Sequence, residues 1–164
     1  MSSGNLRRQP EAPAQHASIR EAAVEVAEQS FFAFADQVDE AQFAEMALGV
    51  DQWLEVSVAF SGAFSGSIAC LLAEPLAREL FDSFLGESTA DQADDDRLFD
   101  LVGEFGNMVC GLWLTRACER RRFDLEHPVV ARHQNADVRP TTGDDALLAL
   151  NGQPLRLRLT FSGE

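Results

Sequence analysis

Three polar residues with helical spacing, Asp100, Glu104 and Asn107, are the first candidates for chemistry in this chain. On a helix that turns by about 100° per residue, Glu104 lies about 40° and Asn107 about 340° from Asp100, which places all three on one ridge. A carboxylate accepts hydrogen bonds and pairs with cations, whereas a side-chain amide both donates and accepts. Such a ridge can orient water or meet a cationic group, although polar residues on a helix face are most often simple solvent contacts.

Three glycines, Gly103, Gly106 and Gly111, flank this ridge in a segment that is otherwise rich in large apolar residues. Each glycine in a helix interior costs about 1 kcal/mol relative to alanine. Close approach of another surface explains such a cost, because a glycine lets a neighbouring group come nearer. That surface can belong to a partner protein or to another element of the same chain, and the sequence leaves both explanations open.

The composition excludes several classes of function. The chain has 164 residues, with 13 basic and 27 acidic side chains and a formal net charge of −14. Binding to nucleic acid or to an anionic membrane needs clustered basic groups, so neither is expected as a partner. All the basic residues are arginines, and the absence of lysine and tyrosine excludes a Walker A loop, Schiff-base chemistry and tyrosine acid catalysis. A mechanism that asks only for a carboxylate and an amide is still possible.

The cysteines and the N-terminal residues predict a cytoplasmic protein. Cys70, Cys110 and Cys118 are odd in number and lack C-x-x-C spacing, which argues against a disulfide framework and a zinc knuckle. Residues 1–17 lack the apolar stretch of a signal peptide, and no apolar run reaches the roughly 18 residues of a membrane span. Residues 1–17 are predicted to be a disordered tail, and residues 18–164 one folded domain.

The chain from Ser18 onward predicts an α+β fold. Ser18 is a suitable N-cap for an amphipathic helix that ends around Asp36 to Asp39, and a loop or an irregular start to the sheet is expected near Phe43. The later predicted elements are a hairpin of Trp53–Phe60 and Ser67–Leu72, a helix from Glu74 that stops at Gly86, a long helix over about Arg97–Arg121, a strand or loop at Phe123–Gln134, and strands Asp145–Leu150 and Leu155–Phe161 joined at Asn151-Gly152. Hairpins imply antiparallel pairing, so the class is an antiparallel sheet packed with long helices. The repeated order of a helix followed by strands indicates two related halves.

Other polar groups fit a structural role better than a site. Asp94 to Asp96 are expected to be helix-start charges, and His127 and His133 lack the fixed spacing of metal ligands. Gly62 to Gly66 would form a nucleophile elbow only with serine at position 64, where Phe64 stands. No metal site is therefore predicted in this chain.

A resemblance to a known family covers nearly the whole folded part. Asp100-x-x-x-Glu104-x-x-Asn107, within the run from Gly103 to Gly111, resembles the D/S-x-x-x-E-x-x-N motif of the CheC/CheX/FliY chemotaxis phosphatases, and CheX most closely. Three further segments are similar to parts of that family. Phe64–Ile68 is similar to its hairpin, Leu76–Glu87 to its helix with an LGE turn, and His127–Val130 to the strand after its long helix.

The number of motifs favours CheX over CheC, because CheC-type members carry two, one on each of two long helices. The first helix here offers Glu21, Glu25 and Glu28, but no asparagine follows any of them three residues later. The chain therefore has one motif, as single-motif CheX proteins do.

The resemblance implies a phosphatase that hydrolyses the aspartyl phosphate of a CheY-like response-regulator receiver domain. It implies that Asn107 holds the attacking water, that Glu104 pairs with the active-site lysine of the receiver, and that Asp100, Gly103 and Gly111 contact this partner. The receiver supplies the Mg²⁺ ion, and the chain has no cofactor of its own. The family's single-motif members also imply a homodimer that pairs through its sheets.

Two alternatives stay open at this level. A module of the same fold can bind a receiver or a component of the flagellar switch without catalysis. An unrelated sheet domain can carry an acidic helix that is merely solvated. Phosphate release from a phosphorylated receiver separates these hypotheses.

Overall fold

An antiparallel sheet of seven strands, with helices on both of its faces, confirms the predicted α+β class. The computed structural model describes residues 12–85, 95–118 and 121–162. In chain order the elements are α1 (Ala12–Phe31), β1 (Ala35–Gln37), α2 (Glu40–Ala47), β2 (Gln52–Gly62), β3 (Gly66–Ala73), α3 (Glu74–Leu85), α4 (Asp95–Ala117), β4 (Phe123–Leu125), β5 (Val129–Gln134), a 3-10 helix (Asn135–Asp137), β6 (Ala146–Leu150) and β7 (Gln153–Phe161). Both predicted hairpins are confirmed, with β2 paired to β3 and β6 paired to β7.

The order of the strands shows two equivalent halves. The sheet runs β1-β6-β7-β3-β2, and β4 and β5 pair with the two ends of β2. In each half a long helix leads to an edge strand and then to a hairpin: α1, β1, β2 and β3 in the first half, and α4, β5, β6 and β7 in the second. Each edge strand pairs with the hairpin of the other half, β1 with β6 and β5 with β2. The helices α1 and α4 therefore occupy equivalent places.

The core lies between the inner face of the sheet and the helices α1, α3 and α4. The alternating apolar residues of β2, from Leu54 to Phe60, are each at most 2% exposed. Trp113 of α4 packs on Phe60 with ring centroids 5.7 Å apart, and Phe31 at the end of α1 packs edge-on against Phe105 of α4 at 5.5 Å. Burying one such large apolar side chain contributes about 1.5–3 kcal/mol, so these contacts decide which side of α4 stays outside.

The stretch near Phe43 is a helix and not the predicted loop or irregular strand. A capping box begins α2: the Asp39 carboxylate accepts from the Gln42 backbone N–H at 2.8 Å, and the Gln42 side chain accepts from the Asp39 backbone N–H at 2.9 Å. Phe43 stacks on Trp53 on the outer face of the sheet, with ring centroids 6.1 Å apart. The helix is too short to show a clear helical period. The sequence signal that indicates it is the capping box of Asp39 and Gln42.

The first long helix differs from its prediction at both ends. α1 begins at Ala12, before the predicted N-cap Ser18, and residues 1–11 of the predicted tail lie outside the described residues. It ends at Phe31, before the predicted end near Asp36, because Phe32 adopts a left-handed conformation with φ 57° and cannot continue the helix.

The later elements agree with the predictions except at their ends. α4 stops at Ala117, before the predicted end at Arg121, and the ambiguous Phe123–Gln134 stretch forms the two strands β4 and β5. The predicted helix stop at Gly86 lies outside the described residues. None of the helices in the described ranges is long and apolar enough to cross a membrane.

A buried ionic cluster on the outer face of the sheet holds the segment between β5 and β6. Arg158 donates twice to the Asp145 carboxylate at 2.8 Å, and Arg156 donates to the Arg139 carbonyl at 2.6 Å. Burial by itself would raise the pKa of Asp145, but hydrogen bonds from Arg158 and from the Thr142 backbone outweigh it and lower that pKa. The arginines of β7 therefore have a structural role.

Candidate functional site

α4 presents the predicted ridge to the outside because its opposite face is packed. Asp100 and Glu104 are exposed, and Asn107 is half-buried. The opposite, apolar face of α4 packs on the core, with four of its residues at most 3% exposed: Leu98, Val102, Phe105 and Val109. Because the apolar face of α4 is packed on the core, the polar face must point outward. Helical periodicity alone therefore locates this ridge.

The three glycines of α4 have different surroundings. A Cβ at Gly106 would lie 2.7 Å from Val56, so this glycine lets the helix rest directly on β2. A Cβ at Gly103 would lie 3.2 Å from Pro128, so this glycine lets the segment before β5 close on the helix. Apart from the two chain neighbours and the nearby backbone of α4 itself, no described atom lies within 4 Å of a Cβ built at Gly111. Packing inside the chain therefore explains Gly103 and Gly106, and Gly111 leaves room for another molecule.

The ridge forms one side of a cleft of about 380 Å³ between α4 and the segment that leads into β5. The cleft is lined by Phe99, Asp100, Gly103, Glu104, Asn107, His127, Pro128 and Val130. The structure thus brings four of the five predicted site residues into one cleft. The fifth, Gly111, lies one helical turn beyond Asn107.

The polar atoms of the ridge have no partners within the part of the chain that the structure describes. Neither Asp100 nor Glu104 forms an ion pair or a side-chain hydrogen bond there. The Asn107 Oδ1 atom is buried and lacks a hydrogen-bond partner. A buried acceptor left unsatisfied costs about 1–3 kcal/mol. This acceptor lies at the position where the motif predicts the catalytic amide.

An ion-pair network holds the start of α4 against β5 and α3. Arg132 of β5 lies 2.5 Å from the Glu74 carboxylate and 3.2 Å from both Asp95 oxygens. The hydrogen bonds from Arg132 lower the pKa of Asp95, and the same bonds raise the pKa of Arg132. The Arg132 guanidinium also lies 5.4 Å from the ring centroid of Phe99, which lines the cleft. Asp95 is thus a helix-start charge, as predicted, while Asp94 lies outside the described residues.

His127 is a candidate that sequence reasoning set aside because it lacks the spacing of a metal ligand. It is exposed, and it lines the same cleft as the ridge, because the following Pro128 packs on Gly103. The available signal was the similarity of His127–Val130 to the family's strand after the long helix. His133 has a different place, in β5 at 3.4 Å from the Glu55 carboxylate on the outer face of the sheet.

The chemistry that the cleft offers is the positioning of water and the pairing of a carboxylate with a cation. Its polar groups are two carboxylates and one amide on α4 and one imidazole on the loop before β5. No group of three or more metal-ligating side chains occurs within the described residues. Burial raises the pKa of the Cys110 thiol to about 12 and raises that of Cys70 as well, so both thiols stay protonated and unreactive at neutral pH.

A second cleft, of about 690 Å³, lies at the equivalent place beside α1. Glu21, Glu25 and Glu28 line it with the same spacing as Asp100, Glu104 and Asn107. Glu25 forms an ion pair with Arg116 from the last turn of α4. The ridge of α1 therefore has Glu28 where α4 has Asn107, and one of its carboxylates already has a partner. The amides of this cleft belong to Gln29 and Gln37, which lie off the ridge.

Comparison with known proteins agrees with this fold. Residues 55–149 match the family model of the chemotaxis phosphatase CheX. Among solved structures, CheX from Vibrio vulnificus aligns with a TM-score of 0.70 at 18% identity, covering 94% of this chain and 100% of that one. CheX from Desulfovibrio desulfuricans aligns with a TM-score of 0.65 at 15% identity, covering 91% and 99%.

A third similar structure contains a bound partner. It is the CheX–CheY–BeF3–Mg²⁺ complex from Borrelia burgdorferi, with a TM-score of 0.64 at 14% identity, covering 90% of this chain and 97% of that chain. None of the curated proteins matches this chain significantly. At these identities the solved structures establish the fold.

The family assignment comes from the sequence match, which extends from β2 into β6 and covers more than half of the chain. It includes all of α4 and therefore the whole ridge of Asp100, Glu104 and Asn107. This chain belongs to the CheX family of chemotaxis phosphatases.

Proposed function

We propose that this protein accelerates hydrolysis of the aspartyl phosphate on the receiver domain of a CheY-like response regulator, in chemotaxis or a related two-component pathway. The observation that carries the proposal is the unpartnered ridge of α4. Asp100 and Glu104 are exposed without ion pairs in the described part of the chain, and Asn107 holds a buried amide oxygen without a hydrogen bond. Family membership supports the reaction class, and a similar structure that contains CheY supports the class of partner.

Asn107 is proposed to hold the attacking water. Phosphoryl transfer from an aspartyl phosphate needs little covalent help, because the barrier lies in placing water in line with the P–O bond. The half-buried side chain of Asn107 is fixed within a packed helix, which limits the positions its amide can adopt. A half-turn of the amide exchanges its oxygen and nitrogen, so either atom can meet the water.

Glu104 is proposed to pair with the active-site lysine of the receiver and thereby to orient the docked helix. Its carboxylate is exposed one turn before Asn107, and Asp100 lies one turn earlier at the edge of the contact. From Asp100 to Asn107 the helix rises about 10.5 Å, enough to cover one receiver active site. Gly111 leaves open space in which the receiver backbone can approach.

The Mg²⁺ ion is proposed to belong to the receiver. The similar complex contains CheY, BeF3 and Mg²⁺ together with CheX. By analogy, the metal and the lysine of the receiver neutralise the phosphoryl oxygens, and the residues of this chain orient the helix and the water. The cleft residues therefore need no metal ligands of their own for this reaction.

The net charge of −14 constrains how the two proteins meet. Receiver active sites are themselves acidic and carry a phosphoryl group, so long-range electrostatic steering does not favour association. Binding must then come from local complementarity, with Glu104 facing a lysine. Association is accordingly expected to be faster at higher ionic strength, because salt screens the overall repulsion.

The proposal also includes a cytoplasmic homodimer that pairs through its sheets, as the family resemblance implies. The chain mass is 18.0 kDa. Analytical ultracentrifugation measures the mass in solution, and a particle of one chain mass at micromolar concentration would contradict the dimer.

The test measures two quantities on one receiver in the presence of Mg²⁺. The first is phosphate release from the phosphorylated receiver, and the second is binding of the receiver. We expect the wild-type protein to bind and to accelerate release, and Asn107→Ala to bind without accelerating release. Binding without acceleration by the wild type would instead identify a non-catalytic docking module. Absence of binding would leave the ridge as a solvated acidic helix.

A further inference from the structure

An apolar pocket lies next to the proposed catalytic ridge, on the side away from the cleft. It occupies about 270 Å³ between α3 and α4. Phe81, Phe84, Leu85 and Leu101 supply its apolar surface. Asp100 and Glu104 line the pocket as well as the cleft, so the ridge separates the two depressions. A partner that contacts Asp100 and Glu104 therefore reaches the edge of this pocket.

The apolar wall of this pocket is both exposed and rigid. Phe84 is 49% exposed and Leu85 is 40% exposed. The Phe84 ring stacks on Phe31 with centroids 5.4 Å apart, and Phe31 is fully buried against Phe105 of α4. An aromatic surface held in place by the core loses little conformational freedom when a partner binds, which favours affinity.

The chain itself offers no suitable occupant in the segment that follows α3. Residues 86–94 read GESTADQAD and contain no apolar side chain larger than alanine. At the rim, Arg97 is the single cationic residue among those that line the pocket. Its guanidinium forms no ion pair or hydrogen bond within the described part of the chain. The pocket therefore combines an apolar floor with the two ridge carboxylates on one side and, at its rim, one guanidinium that is unpaired among the described residues.

We infer that this pocket receives an apolar side chain, aromatic by preference, that the receiver presents next to a carboxylate paired with Arg97. This inference depends on the proposed function, because one receiver must cover the ridge and the pocket together. Aromatic and arginine contacts at the centre of an interface carry a large share of binding energy. An acidic receiver surface complements the positive charge of Arg97. The net negative charge of the rest of this chain repels the same surface.

The experiment compares Leu85→Ser and Arg97→Glu with the control Leu48→Ser. Leu48 is 84% exposed just after α2, on the opposite face of the sheet, so the control makes the same chemical change away from the pocket. The measured quantity is the Kd for a receiver activated with BeF3 and Mg²⁺, in the wild-type and Asn107→Ala backgrounds. We expect each pocket variant to raise the Kd about tenfold or more and the control to change it less than twofold. Circular dichroism and thermal melting verify the fold of every variant.

The outcomes separate the inference from the proposed catalysis. If the wild type binds and both pocket variants bind equally well, the inference is wrong whatever the phosphatase assay shows. If Leu85→Ser changes the mass of a dimer but leaves receiver affinity intact, a second copy of this chain occupies the pocket and the inference is likewise overturned. If the wild type binds without accelerating phosphate release, while the pocket variants lose affinity, the docking inference holds and the proposed catalysis fails.

Discussion

The clefts beside α4 and α1 occupy equivalent places in the two halves of the fold, but they differ in the side chains that line them. Both ridges carry acidic residues with the same four-and-three spacing. Beside α4 the ridge ends in Asn107 and its carboxylates have no partners among the described residues. Beside α1 the ridge ends in Glu28, and Glu25 is paired with Arg116. The fold thus places two equivalent ridges, which differ in the side chains that they carry and in the partners of those side chains.

The helices α4 and α1 also differ in how closely neighbouring segments of the chain approach them. At the positions where α4 has Gly103 and Gly106, the same spacing in α1 places Val24 and Ala27. Gly103 lets Pro128 close one wall of the α4 cleft, whereas the side chain of Val24 lines the α1 cleft itself. The smaller volume of the α4 cleft, about 380 Å³ against about 690 Å³, agrees with this difference.

The largest effect is expected from the two residues that end the ridges. Asn107→Ala should lower kcat for phosphate release by on the order of 10²-fold or more, because it removes the group that is proposed to position water. Glu28→Ala, the matched change beside α1, should leave kcat within twofold of the wild type. Steady-state phosphate release at saturating receiver measures both. Equal losses in the two variants would mean that both clefts contribute to turnover.

Asn107→Ala also has an expected effect on stability that distinguishes a functional residue from a structural one. The change removes a buried acceptor that lacks a hydrogen bond, so the melting temperature should stay the same or rise. Differential scanning calorimetry provides the measurement. A clear drop in the melting temperature would show that Asn107 stabilises the fold and that its loss of activity has a structural cause.

A smaller effect is expected from the central carboxylates of the two ridges. Glu104→Ala should lower kcat/KM roughly tenfold, since a docking ion pair in the interface contributes about 1.5 kcal/mol or more. Glu25→Ala should leave kcat/KM unchanged, because that carboxylate is occupied by Arg116. Glu104→Gln serves as the shape-preserving control. Wild-type kinetics for Glu104→Gln would show that the charge of Glu104 has no role in docking.

The glycines of α4 should show opposite effects on stability. Gly106→Ala would place a methyl group 2.7 Å from Val56 and should lower the free energy of unfolding by about 1–3 kcal/mol. Gly111→Ala meets open space and should raise it by about 0.5–1 kcal/mol. Urea denaturation measures both changes. Similar losses in both variants would contradict the different surroundings of the two glycines.

The smallest effect is expected from the ion pair of the α1 cleft. Arg116 and Glu25 are 42% and 32% exposed at their side chains, so water screens their attraction. Arg116→Ala should lower the free energy of unfolding by about 0–1 kcal/mol and leave phosphate release unchanged. A large loss of activity in this variant would mean that the α1 cleft takes part in receiver binding.

Much of the fold and the ridge itself could be predicted from the sequence, because both depend on local periodicity. The alternation of Leu54 to Phe60 marks a half-buried strand, and the apolar stripe of α4 fixes the outward direction of Asp100, Glu104 and Asn107. The Asn151-Gly152 turn was equally clear, and both residues adopt the positive φ values that such a turn requires.

The features that sequence reasoning missed depend on contacts between distant segments. The two explanations of Gly103 and Gly106 could not be separated, because a partner and a neighbouring strand leave the same pattern in a sequence. His127 reaches the cleft only because Pro128 packs on Gly103, which no local pattern shows. The three-residue strand β1 and the short helix α2 are likewise stabilised by tertiary contacts rather than by their own periodicity.

The most direct test follows the aspartyl phosphate itself in a single turnover. A receiver labelled with radioactive phosphate is mixed with an excess of this protein, and the label that stays on the receiver is measured over time. The account predicts rapid loss with the wild type and with Glu28→Ala, and loss at the receiver's own rate with Asn107→Ala. Rapid loss with Asn107→Ala would contradict the central claim that the α4 cleft, through its single amide, carries the activity.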